Sequence, residues 1–246
     1  MIYQAVFLSK NMGRAFEFRK EKKFKRWAQM AKVFTKIGRE ISMAVKESGT
    51  NPETNSKLRI AIQNAKAANM PKDNVERAIQ KASGKDAESF KEVVYEGYGP
   101  GKVAIIIECA TDNTTRTVAN VRSYLNKHGG EFASQGAFDF IFDRKAVFKI
   151  AAEGQNMEEL EFELIDFGLE DIGLEDENLV IYTAFTDFGS MQKALEERGI
   201  EIVSAEFERL PNVIKEVSDD VAAQMNKLID KIEEDDDVTS VFHNMG

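Results

Sequence analysis

The chain has 246 residues, 43% of them hydrophobic and 30% charged, with a formal net charge of −9. That length supports one to three domains with real cores. Cys109 stands alone, which excludes an internal disulfide framework and cysteine-pair zinc sites, and two histidines are too few for most His-based metal centres.

No apolar run reaches the roughly 18 residues of a membrane-spanning helix, and the N-terminus lacks the apolar core of a signal peptide. The expected location is the cytoplasm. The net charge hides an asymmetry. Residues 1–81 hold 18 basic and 7 acidic side chains, a net +11, whereas residues 82–246 hold 15 and 35, a net −20. A polyanion-binding end on an acidic body is the expectation.

Residues 1–11 carry no periodic pattern, and Met12 offers an alternative start. From Lys25 to Lys46 the pattern is helical. Lys25, Lys36, Arg39 and Lys46 fall within about 40° of Lys32 on a helical projection. Trp27, Met30, Phe34, Ile37, Ile41 and Val45 fall opposite, so a basic stripe backs an apolar one. Gly49 ends this helix. Asn51-Pro52 is expected to open a second helix, to about Ala68, with Asn51 as cap. Arg59, Gln63 and Lys66 share one of its faces. Pro71 interrupts, and Asp73 or Asn74 is expected to cap a third helix ending near Gly84.

Strands are expected at Val93–Tyr98 and Val103–Cys109, joined by Gly99-Pro100-Gly101. Asp112 or Asn113 then caps a helix that stops at His128-Gly129-Gly130. Phe132, Phe138, Phe140 and Phe142 suggest further strand with alternate residues inward. From Ala146 the order is strand 147–150, helix 157–167, strands 170–174 and 179–183, helix 190–198, strand 201–208. This βαββαβ order is ferredoxin-like. A last helix, 219–232, and strand, 238–242, have no partners in it and are expected to complete the 90–142 set. The fold class is therefore α+β. A three-helix N-terminal domain, 1–84, precedes a discontinuous α/β domain, 85–145 plus 212–246. A ferredoxin-like domain, 146–211, is inserted into the latter.

Several motifs carry a resemblance. They are Lys66-Ala67-Ala68, Asn69-Met70-Pro71-Lys72-Asp73-Asn74-Val75-Glu76-Arg77-Ala78-Ile79, Tyr95-Glu96-Gly97-Tyr98-Gly99-Pro100-Gly101, Thr111-Asp112-Asn113, Arg116-Thr117-Val118-Ala119 and Lys127-His128-Gly129-Gly130. In this order they resemble the YebC/PmpR family, which includes the mitochondrial translational activator of cytochrome oxidase subunit one. The similarity runs from about Met12 to Met245. It implies three domains with the third inserted into the second, and no enzymatic activity. It implies a DNA-binding transcriptional regulator or, as in other members, a factor acting in translation at the ribosome. The family usually opens Gly-His-Ser-Lys-Trp. Here Gly13 is followed by Arg14-Ala15-Phe16-Glu17-Phe18, so no role of that His or Trp carries over.

The basic stripe is the main functional signal, because Lys and Arg along one face can track a phosphate backbone. The expected nucleic-acid contacts are Lys25, Lys32, Lys36, Arg39 and Lys46, with Arg59, Lys66 and Lys72 in support. The stripe is mostly Lys, a point charge rather than a base reader. Phe16, Phe18, Phe24 and Trp27 are expected to pack rather than stack on bases. Gly97–Lys102 lacks phosphate-loop spacing and reads as a tight turn. His128 complements a helix end, His243 is expected exposed, and Cys109 is expected in a core. Glu233–Asp237 reads as a solvated acidic loop. No nucleophile–base pair, metal cluster or cofactor loop stands out, so no enzyme, cofactor, metal or small-molecule substrate is expected. Partners are DNA or ribosomal RNA, with a basic protein at the acidic domains; a membrane is not expected.

Overall fold

A computed structural model describes residues 30–84 and 88–246. Helix α1 is Met30–Ser48, α2 Ser56–Ala67 and α3 Lys72–Ser83. Then come β1 (Lys91–Tyr98), β2 (Ala104–Thr111), α4 (Thr114–Lys127), β3 (Glu131–Phe132) and β4 (Phe142–Ala151). They are followed by α5 (Met157–Leu164), β5 (Leu169–Glu175), β6 (Asn178–Ala184), α6 (Phe188–Glu197) and β7 (Ile202–Pro211). The chain closes with α7 (Asp219–Glu233) and β8 (Val238–His243). The N-terminal half of the expected basic and aromatic segment, including Lys25 and Trp27, lies outside the described residues.

The chain packs as two compact units. Among the described residues, one gathers 30–43, 88–143 and 210–246; the other gathers 44–84 and 144–209. In the first unit the sheet order is β3-β1-β2-β8. β2 is the reason it forms. Val103, Ile105, Ile107 and Cys109 pack with Val121 and Leu125 of α4 and with Met225, Leu228 and Ile232 of α7. The alternate residues Ala104 and Ile106 face Phe138, Phe142 and Phe242. A continuous apolar run whose alternate residues pack on opposite sides marks a strand covered on both faces. β8 pairs with β2 antiparallel, Ile107 opposite Val241. The last helix and strand therefore complete the 90–142 set.

In the second unit the order is β5-β6-β4-β7. In the unit's own count these are its second, third, first and fourth strands, the ferredoxin-like arrangement. Phe148, Ile150, Leu164, Ile181, Met191, Leu195 and Ile202 form its core, and Ile60 of α2 joins it.

Three local expectations change. The second helix starts at Ser56, not Pro52. Asn55 is its cap and accepts from the Leu58 N–H, while its side-chain amide donates to the carbonyls of Ala44 and Gly49 at 2.8 Å each. Asn51 instead closes a turn, its side chain accepting from Glu53 N–H. α3 begins at Lys72 with Pro71 at the cap position and no side-chain cap. The strand expected across the phenylalanines is only Glu131–Phe132, and 135–141 is a turn. The buried Glu96 carboxylate holds that turn, accepting from the N–H groups of Gly136 at 2.7 Å and Phe138 at 3.0 Å. Gly136 adopts φ +79°, a conformation outside any strand. Phe138 and Phe142 are buried and Phe140 is exposed. Of the two expected caps, Asp112 or Asn113, it is Asn113 that accepts from Arg116 N–H, and Gly97–Lys102 is a tight connection with Gly101 at φ +68°.

Candidate nucleic-acid interface

Of the expected apolar face of α1, Ile37, Ile41 and Val45 are buried and Phe34 is half-buried, while Trp27 and the Met30 side chain lie outside the description. The basic face is not a bare ridge. Lys32 Nζ donates to the Glu234 carbonyl at 3.3 Å, and Lys36 Nζ donates to the Thr239 carbonyl at 3.0 Å. Arg39 donates to the Ala110 carbonyl and reaches Asp237 Oδ1 at 2.9 Å. The Arg39 side chain is 13% exposed and that of Asp237 is 4% exposed. A guanidinium in that position is a structural ion pair, not a free phosphate ligand.

The acidic run after α7, expected solvated, is the other half of this contact. Asp237 also takes Arg116 Nη2 at 2.8 Å and Thr117 Oγ1 at 2.7 Å. Burial opposes ionisation of Asp237, but the bonds from Arg116, Thr117 and Arg39 outweigh it and hold the carboxyl below the usual carboxylate range. Asp235 accepts from Asn120 and from the Tyr124 hydroxyl, both at 3.0 Å. Burial, together with the Asp235 bond, pushes the Tyr124 phenol up to about 12. Cys109 is buried as expected. Burial, then the negative charges of Asp235 and Asp237, pushes its thiol up to about 12, so it is no nucleophile at neutral pH. A run of acids reads as solvated unless the cations that reach it are known, and those lie some 120 and 200 positions away.

The remaining expected contacts lie in the second unit. Arg59 pairs with Glu196 through Nε and Nη2, both at 3.0 Å, and is half-buried. Lys66 meets Glu201 at 2.7 Å with 77% of its side chain exposed. Lys72 lies 3.6 Å from Glu76 with 88% exposed. Lys46 is exposed. On α3 the buried residues Val75 and Ala82 turn Arg77 and Lys81 outward, both exposed; Lys81 was not among the expected contacts. Its signal was available, since it falls on the same outer face as Arg77. His128 sits at the end of α4, its Nδ1 at 2.8 Å from the Tyr124 carbonyl. His243 is not exposed as expected but half-buried on β8, opposite Ile105.

Two family models match. One, described as the TACO1/YebC protein N-terminal domain, covers residues 14–85, and the other, the TACO1/YebC second and third domain, covers 90–245. The chain belongs to the TACO1/YebC family. Its TACO1/YebC relatives include a probable transcriptional regulatory protein of Flavobacterium johnsoniae, 57% identical over 95% of this chain and 99% of that one. Another, of Parabacteroides distasonis and of the same name, is 55% identical over 95% and 97%. A conserved hypothetical protein of Aquifex aeolicus, known from a crystal structure, shares this TACO1/YebC fold. Its TM-score is 0.74, with 39% identity over 89% of this chain and 91% of that one.

Proposed function

We propose that this chain is a non-enzymatic, cytoplasmic, DNA-binding regulator of transcription that grips phosphates through its N-terminal helices. Lys46, Lys66 and Lys72 are the principal contacts, with Arg59 beside them. The observation that carries this is the exposure of Lys66 and Lys72, at 77% and 88%. Their carboxylate partners are exposed too, and such pairs contribute about 0–1 kcal/mol. A phosphate displaces them at little cost. Arg39 is different, since freeing it strands a buried carboxylate. Its role is to hold α1. Lys32 spends one of three ammonium donors on a carbonyl and keeps the others for solvent or phosphate. Lys36 is held likewise.

A second reading, a translation factor bound to ribosomal RNA, is favoured by one observation. The arginines that would read base edges are occupied: Arg39 and Arg116 by Asp237, Arg59 by Glu196, Arg77 by Asn74. What is left exposed is mostly Lys, which supports sequence-independent contact.

A lysate is sedimented through a sucrose gradient and the purified protein is titrated against a promoter fragment and its scrambled version. Free protein with a clear promoter preference supports regulation of transcription. Co-migration with ribosomes and equal affinity for both fragments supports the second reading. Absence of binding to either nucleic acid overturns both.

A further inference from the structure

Helix α5 shows an outward face that its own unit does not use. Leu160 and Leu164 are buried in the core of the second unit. Phe162 points the other way, about 160° from each on a helical projection, and is 80% exposed. Ile165, one turn on, is 57% exposed. A large aromatic and a branched aliphatic side by side in water are an uncompensated apolar surface, the kind that marks contact sites.

The rim of this surface is one-signed. Glu158 and Glu159 precede Phe162 by one turn, and Asp166 follows it; all are exposed. Among the described residues no cation pairs with these three. The neighbouring Glu163 is already taken by Arg198 at 2.9 Å.

That charge selects the occupant. Nucleic acid and anionic lipid are repelled by it. A second copy docked through the same face would set like carboxylates against each other, as a two-fold contact requires. What remains complementary is a cationic polypeptide with apolar side chains between its Lys or Arg residues. We infer that the face formed by Phe162 of α5 and Ile165 of the helical turn after it, rimmed by Glu158, Glu159 and Asp166, docks a basic, amphipathic segment of a partner protein. The apolar pair supplies the anchor, and the carboxylates supply steering and register. This surface shares no residue with the Lys66 and Lys72 contacts, so its failure leaves the phosphate-binding reading intact.

The test uses the full chain and two fluorescein-labelled peptides of equal length and charge, one an amphipathic Lys/Leu helix and one a Lys/Ser control. The parent protein is expected to bind the Lys/Leu probe at least about tenfold tighter than the control, the difference a well-buried apolar anchor confers. Phe162→Ser with Ile165→Ser removes that preference, leaving control binding, nucleic-acid binding and thermal stability unchanged. Glu158→Gln with Glu159→Gln weakens both probes and flattens their salt dependence. Equal affinity of the parent for both probes overturns the inference, as does full retention of the preference in the Phe162/Ile165 variant. A dimer in the parent that this variant splits assigns the face to a second copy and overturns it as well.

Discussion

Arg39 and Asp237 stand 198 positions apart in the chain and 2.9 Å apart in space. Their pair sits at a junction where α1, the end of β2 and the loop before β8 meet, because Arg39 also binds the Ala110 carbonyl and Asp237 also binds Arg116, Thr111 and Thr117. Asp237→Asn leaves two guanidinium groups facing a neutral amide. It is expected to lower unfolding free energy by about 3–5 kcal/mol, the range for breaking a buried pair, measured by urea denaturation. Arg39→Ala costs less, since Arg116 still serves the carboxylate. The two changes combined cost less than their sum; strict additivity would show that the pair is not coupled.

Reversing Lys66 and Lys72 to Glu is expected to weaken nucleic-acid binding at low salt. The log–log salt slope should fall by about 2, one per lost cation. Unfolding temperature stays near the parent's, because both side chains are exposed. Gel-shift titrations across a salt series measure it. An unchanged slope removes these two lysines from the contact surface.

Stability depends on pH at both ends of the scale. Asp237 is held low when folded, so its contribution is full above the unfolded carboxylate value, near 3.9, and is lost as pH falls through its lower folded value. Cys109 and Tyr124 are raised to about 12. The folded chain keeps their protons while the unfolded chain gives them up from roughly pH 8.5 for the thiol and 10 for the phenol. Their contribution is therefore present at neutral pH and fades as pH rises towards 12. Cys109→Ala is expected to flatten the loss between about pH 9 and 10, where the thiol accounts for up to roughly 1.4 kcal/mol per pH unit. Denaturant midpoints across that range check it; parallel curves for parent and variant would contradict it.

Asn55→Ala removes a cap and two donors at once. The Leu58 N–H and the Ala44 and Gly49 carbonyls lose their partner in a site where Asn55 is 2% exposed. The expected cost is about 2–3 kcal/mol, read as a lowered thermal midpoint. Asn51→Ala, at the position that sequence favoured as the cap, is expected to cost well under 1 kcal/mol, as an exposed turn residue does.

Much of the architecture was legible in the chain. The strand at Val103–Cys109, the βαββαβ order and a helix cap at Asp112 or Asn113 follow from local pattern and turn chemistry, which act within a few residues. The errors share a cause. Asn51-Pro52 has the letters of a helix start, but Asn55 wins because its amide also finds Ala44 and Gly49. The phenylalanines at 132–142 alternate like a strand, yet Glu96, some forty residues earlier, claims the backbone N–H groups of Gly136 and Phe138. The stripe on α1 was visible as charge; what it binds was not, because Asp237 lies at the far end of the chain. Periodicity reports which face of a helix is polar, and only tertiary structure reports whether water or protein meets it.

Strand β2 has one partner, β1, that is its immediate predecessor and another, β8, about 130 positions later. About half of that interval is residues 144–209 of the second unit, and the residues flanking them are joined, Asn212 N–H donating to the Ile141 carbonyl at 2.9 Å. Once that stretch has folded, it acts as a clasp that shortens the tether between β2 and β8. Halving such a tether lowers the closure cost by about 0.6 kcal/mol. During synthesis, the later segment can therefore ripen first, while the earlier sheet waits with an open edge for the final strand to emerge.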